Sequence, residues 1–359
     1  MSGLGCPTVT DVVLHIGTGK TGTSSIQKLL GNNRPALRGQ DVLYPRTPGR
    51  YRHVRLGLMI TPPDELDKMI AWSRIDSDDP VAFQRQVRDE LLAELRESDR
   101  SRLLVSNESL YGAGEPALRN LRTFLDGFAT SVRVVVYLRR QDDHLLSRYQ
   151  QRIKTGTVDR IEEYAEADLA RTYDYARRLS LWERVVGADE TVVRPFESGQ
   201  FHQGSLYQDF LDSAGIDIDA STLKPVERTN ESLDAELVEL LRVLNMHRVE
   251  NRGARIGQID NRPLLKTLFT TSQGPTLGLP DDVLDRLMAR WEQTNAAVAR
   301  DHLGRADGVL FHSAKRSAST TTEQRLDPAR LDHFFELLHI PADEHAQIRA
   351  IAVREDRRA

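Results

Sequence analysis

The sequence predicts an α/β fold, a three-layer α/β/α arrangement in which helices cover both faces of a mainly parallel central sheet. Four short apolar runs are suited to buried strands, at residues 12–16, 102–105, 132–138 and 190–197. Longer polar or amphipathic segments separate these runs. Such alternation is typical of parallel sheets, because the crossover between two parallel strands usually contains a helix that packs on the sheet.

Helices are expected between and after the strands. Residues 80–98 form the clearest one, since their apolar side chains recur at helical spacing. A second helix follows strand 132–138 and ends at Gly156, and others are expected at about 234–246 and 281–303. The apolar face of the first helix consists of Val81, Phe83, Val87, Leu91, Leu92 and Leu95.

Composition limits the classes of partner. The 359 residues carry a net charge of −4, so no general attraction to nucleic acid or to an anionic membrane surface is expected. Cys6 is the single cysteine, which leaves no disulfide framework and no cysteine-based metal site. The N-terminus lacks the pattern of a signal peptide, and no apolar run has the length of a membrane span. We therefore expect a cytoplasmic protein.

Residues 12–30 carry the strongest functional signal. A buried strand is followed by a glycine-rich loop and by the first turns of a helix. Glycines allow backbone N–H groups to approach a ligand, and a helix N-terminus adds a partial positive charge. The loop contains Gly17, Gly19, Lys20 and Gly22, and the helix opens with Thr23, Ser24 and Ser25. This pattern predicts a site for a phosphate-like anion, and a tight turn without a ligand is the alternative.

The spacing argues against a nucleoside-triphosphate P-loop. The Walker A motif requires a glycine five residues before the Gly-Lys pair. Here the pair is Gly19-Lys20, and Leu14 occupies that earlier position.

Residues 20–25, Lys-Thr-Gly-Thr-Ser-Ser, resemble the 5′-phosphosulfate loop of sulfotransferases that use 3′-phosphoadenosine 5′-phosphosulfate (PAPS). The resemblance covers about 12–212 and extends more weakly to about 312. It implies that Lys20 contacts the bridging oxygen of the phosphosulfate. It also implies that the 5′-phosphate is surrounded by Thr21, Gly22, Thr23, Ser24 and Ser25.

A second pair of residues resembles the 3′-phosphate site of the same family. Arg139 ends strand 132–138, and Ser147 follows eight residues later in the next helix. A guanidinium can donate to two phosphate oxygens, and a helix hydroxyl can donate to a third. A structural ion pair of Arg139 at the end of the sheet is the alternative. Farther along, Arg228 precedes a helix, and by resemblance it would close over the donor nucleotide.

Two residues are candidates for the general base that deprotonates the acceptor. Glu108 follows strand 102–105, at the end of a strand where α/β sheets place ligands. His53 lies in an arginine-rich segment at 49–60, about where many sulfotransferases carry a histidine or glutamate base. Several family members have a catalytic histidine after the strand that precedes Glu108, and this chain has none there.

The resemblance implies transfer of a sulfuryl group from PAPS to a hydroxyl or amine, with 3′-phosphoadenosine 5′-phosphate (PAP) as product and no metal. A small-molecule or glycan acceptor is expected, with a slight preference for a carbohydrate or another polar metabolite such as a natural product. The alternatives are a small-molecule kinase that uses ATP-Mg and a donor-binding protein without turnover.

The predicted organisation is a sulfotransferase domain at 9–312, a polar linker at 313–326 and a helical tail at 327–359. The tail has an amphipathic pattern, so it either covers the core or docks on a second subunit as in a homodimer.

Overall fold

The structure, a computed structural model, describes residues 10–69, 71–226, 232–313 and 321–357. These residues form two compact units. The first unit consists of the described residues within 1–140, 169–228 and 293–313, and the second of those within 141–168, 229–292 and 314–359. The boundaries differ from the predicted domain at 9–312, because the segment 232–292 packs with the C-terminal helices instead of with the sheet.

The first unit contains a five-stranded sheet, which confirms the predicted mainly parallel arrangement. The seven strands in the described part of the chain are β1 (Thr10–Gly17), β2 (Val42–Leu43), β3 (Arg102–Ser106), β4 (Ala129–Leu138), β5 (Glu190–Pro195), β6 (Thr276–Leu277) and β7 (Thr321–Thr322). The order in the sheet is β2-β3-β1-β4-β5, and every neighbouring pair is parallel. The carboxyl ends of β1, β3, β4 and β5 therefore meet at one edge. In the second unit β6 and β7 form a short parallel pair.

Seventeen α-helices lie in the described residues, and none of them is long and apolar enough to cross a membrane. They are α1 (Thr23–Asn32), α2 (Arg34–Gly39), α3 (Val54–Ile60), α4 (Pro63–Leu66), α5 (Pro80–Glu97), α6 (Glu115–Leu125), α7 (Gln141–Lys154), α8 (Ile161–Glu166), α9 (Ala170–Tyr173), α10 (Tyr175–Val186), α11 (Leu206–Ser213), α12 (Ala235–Arg252), α13 (Arg262–Thr271), α14 (Asp281–Ala289), α15 (Glu292–Leu303), α16 (Leu331–Leu338) and α17 (His345–Asp356).

Both faces of the five-stranded sheet are buried. On one face Val13, Leu104 and Val135 belong to a core cluster with apolar side chains of α1, α2 and α11. The alternate positions of the same strands, such as Leu14 and Val134, are also buried. Because successive side chains point to opposite faces of a strand, helices must cover the second face as well. The apolar faces of α5, α6 and α10 are buried, and α6 packs against α10.

Local sequence explains several helix ends. The carboxylate of Asp79 accepts a hydrogen bond of 2.9 Å from the N–H of Ala82 and caps α5. Asp234 caps α12 in the same way through the N–H of Leu237, at 2.9 Å. Such caps satisfy N–H groups that have no acceptor within the helix. The helix α12 extends beyond the predicted 234–246 and ends before Gly253, which has a φ of +65°.

The predicted helix at 281–303 is two helices. The helix α14 ends at Ala289 and α15 begins at Glu292. At the break, the N–H of Trp291 bonds to the carbonyl of Met288, three residues earlier, so the helical repeat is tightened there. Apolar periodicity continued through 281–303 and therefore did not reveal the break.

The predicted tail belongs to the core of the second unit. The helix α17 packs against α12, and α13 packs against α16. The tail residues buried there are Leu331, Phe334, Phe335, Leu338, Ile348, Ile351 and Ala352.

The predicted polar linker at 313–326 is also partly a core segment. Gln324 is fully buried, and its amide donates to Glu239 Oε2 at 2.7 Å. The Tyr149 hydroxyl donates to Gln324 Oε1 at 2.9 Å, and Leu326 is buried nearby in sequence. A polar side chain can be buried without loss of stability when its hydrogen bonds are satisfied, so polarity alone was a poor guide to exposure here.

A buried ionic network joins α12 to α17 in the second unit. Arg242 donates to Glu239 at 2.8 and 2.7 Å and to Glu355 at 2.7 Å. All three side chains are at most 3% exposed. Burial alone would lower the pKa of the Arg242 guanidinium, but the hydrogen bonds to both carboxylates hold its pKa above the ordinary value.

Candidate active site

The loop between β1 and α1 has a conformation that requires glycine at two positions. Gly17 has a φ of +107°, and a Cβ atom there would lie 3.0 Å from the Cα of Glu108. Gly22 has a φ of +72°, and a Cβ atom there would lie 2.4 Å from a methyl carbon of Leu206. Glycine tolerates positive φ and close backbone contact. The close approach at Gly17 brings the loop against the segment that carries Glu108.

Hydrogen bonds hold this loop in place. The N–H of Thr18 donates to the carbonyl of Tyr137 at 2.9 Å. The Thr21 hydroxyl donates to the carbonyl of Thr18 at 2.6 Å. The guanidinium of Arg139 donates from Nη1 to the carbonyl of Lys20 at 2.9 Å. Strand β4 and its end therefore fix the loop before any ligand binds.

The N-terminus of α1 is open to a ligand. Its N-cap residue is Gly22, so no side chain caps the helix. The N–H groups of Ser25 and Ile26 both bond to the Gly22 carbonyl, at 2.9 and 3.0 Å. Thr23 and Ser24 lie in the first turn of the helix, where N–H groups have no intrahelical acceptor. Their N–H groups can therefore donate to a ligand. Such an end favours a bound anion through its N–H donors and its dipole.

The predicted phosphate-loop residues differ in exposure. Lys20, Gly22 and Ser25 are partly exposed, and Ser24 is exposed. Thr21 and Thr23 are buried. The Thr21 hydroxyl already donates its proton within the loop, so it braces the loop, and its predicted contact with a phosphate would have to come from its backbone N–H.

Glu108 lies at the same edge of the sheet, just beyond β3. One carboxylate oxygen accepts a hydrogen bond of 2.8 Å from the side-chain amide of Gln27. The other oxygen forms an ion pair with Arg52. The Glu108 side chain is 18% exposed, so solvent or a ligand can reach it while its two partners hold it in place.

Gln27 was not identified from sequence, since a glutamine on a helix resembles any polar surface position. It is fully buried in α1. Its Oε1 atom is buried and has no hydrogen-bond partner among the described residues. An unpaired buried acceptor costs roughly 1–3 kcal/mol.

His53 does not fit the predicted role of general base. It is fully buried, and both ring nitrogens are occupied by the backbone. Nδ1 accepts the N–H of Ser106 at 3.1 Å, so Nε2 carries the proton and donates to the carbonyl of Pro45 at 3.1 Å. Burial lowers the pKa of the His53 imidazole to about 3. His53 is therefore a neutral structural residue that ties the segment before α3 to the end of β3.

The two described residues that were predicted for the 3′-phosphate, Arg139 and Ser147, belong to different structural units. Arg139 directly follows β4 in the first unit, where its guanidinium lies 5.7 Å from the centroid of the Phe196 ring. Ser147 is partly exposed in the second turn of α7, in the second unit. Arg228 lies outside the described residues. In the described ranges no three His, Cys, Asp or Glu side chains are grouped as a metal site.

Comparisons with known proteins add little to this geometry. No family model matches the chain. A curated protein of Archaeoglobus fulgidus, described only as uncharacterized, is 26% identical in a match that covers 48% of this chain and 48% of that protein. The chain thus spans about half the length of the curated relative it matches.

One solved structure resembles part of the chain. It is a crystal structure of a sulfotransferase from Alicyclobacillus acidocaldarius, 16% identical, and the match covers 66% of this chain and 93% of that one. Its TM-score of 0.37 is too low to bear on the fold or the function of this chain.

Proposed function

We propose that this chain is a PAPS-dependent sulfotransferase that transfers a sulfuryl group to a hydroxyl or amine of a polar acceptor. One observation carries the proposal. The loop that carries Lys20 leads into the open N-terminus of α1, and through Gly17 it packs against the backbone of Glu108 at the carboxyl edge of the parallel sheet. An anion site and a carboxylate base are the two parts that this reaction needs.

The helix N-terminus holds the 5′-phosphate of the donor. The N–H groups of Thr23 and Ser24 donate to its oxygens, and the hydroxyls of Ser24 and Ser25 are exposed enough to add further donors. Gly22 allows the backbone to approach without a Cβ atom. Because the loop is already fixed by Thr18, Thr21 and Arg139, little conformational entropy is lost when the donor binds.

The reaction forms one bond and breaks another. The acceptor oxygen or nitrogen forms a bond to sulfur, and the bond between sulfur and the bridging oxygen of PAPS breaks. The bridging oxygen leaves with the electron pair as part of the 5′-phosphate of PAP. Lys20 stabilises the charge that develops on that phosphate, as preorganised cations do in phosphoryl transfer.

Glu108 takes the proton of the acceptor. Its Arg52 and Gln27 partners keep the carboxylate in position. The other candidate base, His53, has no ring nitrogen available for proton transfer.

Replacing Glu108 by glutamine should lower kcat by about 100-fold, because general-base catalysis contributes 10²- to 10⁴-fold. Glutamine keeps the shape of the side chain, and its one carbonyl oxygen can accept from either Gln27 or Arg52, so PAP affinity should not change. Steady-state kinetics and calorimetry with PAP measure the two effects. Glu90→Gln, which removes another arginine-paired carboxylate from the exposed side of α5, is the control. A Glu108→Gln protein with the kcat of the control would require another base.

Arg139→Ala should weaken PAP binding by about 2–4 kcal/mol, since it removes a charged phosphate contact and the hydrogen bond to the Lys20 carbonyl. Calorimetric titration with PAP measures this loss. Arg133→Ala is the matched control, because Arg133 lies in the middle of β4 and pairs with Glu190. Equal PAP affinity in the two variants would place the 3′-phosphate elsewhere. The role of Ser147 beside Arg139 stays a prediction from their spacing.

The decisive experiment is calorimetric titration of the wild-type chain with PAP, with ADP and ATP–Mg²⁺ as comparison ligands. Binding of PAP that is much tighter than that of ADP supports the donor assignment. Binding of ATP–Mg²⁺ without binding of PAP would overturn it in favour of a small-molecule kinase.

A further inference from the structure

A second positively charged feature lies in the first unit, between residues 31 and 51 of the chain. It is a solvent-open groove with a volume of about 520 Å³. We call it the basic groove, and it is lined by Gly31, Asn32, Arg34, Arg46, Arg50 and Tyr51. None of these residues belongs to the glycine-rich loop between β1 and α1.

The basic groove is held in shape by its own residues. Arg34 is buried and donates to the carbonyls of Gly31 and Tyr44, both at 2.8 Å, and of Arg50 at 2.5 Å. A Cβ atom at Gly31 would lie 2.3 Å from a ring carbon of Tyr51, so the tyrosine packs directly on the end of α1. The groove is therefore preformed, which reduces the entropic cost of binding.

The basic groove is lined by three arginines and by no acidic residue. Arg46 and Arg50 are exposed, and neither side chain has an ion pair in the described parts of the chain. The carboxylate of Glu94, which accepts hydrogen bonds from the N–H groups of Arg46 and Thr47, lies close by and offsets part of this positive charge. Arginines that line a cavity without acidic partners favour a carboxylate, sulfate or phosphate group.

The basic groove is connected to the proposed base through the short segment from Arg50 to Arg52. Arg52, which pairs with Glu108, is two residues beyond Arg50, so their Cα atoms are at most about 7 Å apart. We infer that the acceptor is an acidic molecule whose anionic group lies in the basic groove while its hydroxyl or amine reaches Glu108. The inference rests on the proposed function and narrows it to acidic acceptors, in contrast to neutral sugars or simple phenols.

The test is calorimetric titration at low ionic strength, with PAP bound to the protein. The ligands are an unsulfated chondroitin tetrasaccharide, the methyl ester of its carboxylates, and inorganic sulfate. We expect at least one of the two anionic ligands to bind. Arg46→Gln/Arg50→Gln should weaken its binding by tenfold to a hundredfold, because each charge-assisted contact contributes about tenfold. If the tetrasaccharide binds, its methyl ester should bind about tenfold more weakly or not at all. If inorganic sulfate binds and the tetrasaccharide does not, the acceptor is a small acidic molecule.

The control variant is Arg85→Gln/Arg88→Gln, which makes the same change in net charge on the exposed side of α5. The inference is overturned if neither anion binds, if the ester binds as well as the acid, or if the groove and control variants bind equally. PAP affinity, measured separately, should be equal in the groove variant and the wild type. If the wild type does not bind PAP, the proposed function fails, and the same titrations without PAP still show whether the groove binds anions.

Discussion

Lys20→Ala should reduce kcat by about 10³-fold or more while the fold is retained. One preorganised donor at a developing negative charge typically contributes 10²- to 10³-fold to catalysis, and a full positive charge at a leaving phosphate should contribute at least as much. Residues 17–22 contain no second basic side chain, so no other side chain of the loop can replace the charge of Lys20.

The choice of alanine matters for this test. Lys20 has a φ of +65°, a conformation that costs about 1–2 kcal/mol for any residue with a Cβ atom. Alanine keeps that backbone cost, so the variant changes the side chain alone, whereas glycine would also relax the loop. Lys28→Ala is the matched control, because Lys28 is exposed on α1, the helix that follows the loop.

Turnover with PAPS, circular dichroism and the melting temperature are the measurements for Lys20→Ala. A protein that melts like the Lys28→Ala control but no longer turns over agrees with the proposed role. A folded Lys20→Ala protein with the kcat of the control would mean that the leaving phosphate is stabilised by another group.

Arg242→Met should destabilise the second unit by about 3–5 kcal/mol, the usual effect of removing one partner from a buried ion pair. Methionine fills similar volume, but Glu239 and Glu355 lose their shared cation inside the core. Gln324 still donates to Glu239, and Arg354 lies 3.3 Å from Glu355, so part of the charge stays compensated. Neither contact replaces three hydrogen bonds from one guanidinium.

Chemical denaturation and amide hydrogen exchange of α12 and α17 measure this effect. The control is Arg330→Met, which removes an exposed arginine that pairs with Glu236 on the same helix α12. Exposed pairs contribute less than about 1 kcal/mol. Equal free energies of unfolding for the two variants would contradict the assigned importance of the buried network.

Local sequence predicted four of the five strands of the sheet, because each of these four contains a short run of apolar residues. Strands β1, β3, β4 and β5 lie where the apolar runs indicated, and helix α5 ends within one residue of the expected position. The loop glycines also followed from sequence, since positive φ and close contact leave few other residue types.

Errors arose where distant parts of the chain determine the environment of a side chain. His53 has the intrinsic pKa of a good base, but the carbonyl of Pro45 and the N–H of Ser106 occupy both of its nitrogens. Gln324 lies in a polar segment that resembles a linker, but Glu239 and Tyr149 satisfy its amide in the core. Burial and hydrogen-bond partners of this kind have no local signature.

The sequence by itself determined the alternation of strands and helices, the glycine-rich loop and the lysine beside it, because these depend on residues close together in the chain. The tertiary structure alone decided which side chains meet. Gln27 and Glu108 are 81 positions apart, and Arg34, Arg46 and Arg50 line one groove only after β2 joins the edge of the sheet. Contacts between distant residues depend on how the whole chain packs, so the choice of Glu108 over His53 as the base, and the basic groove itself, depended on the folded protein.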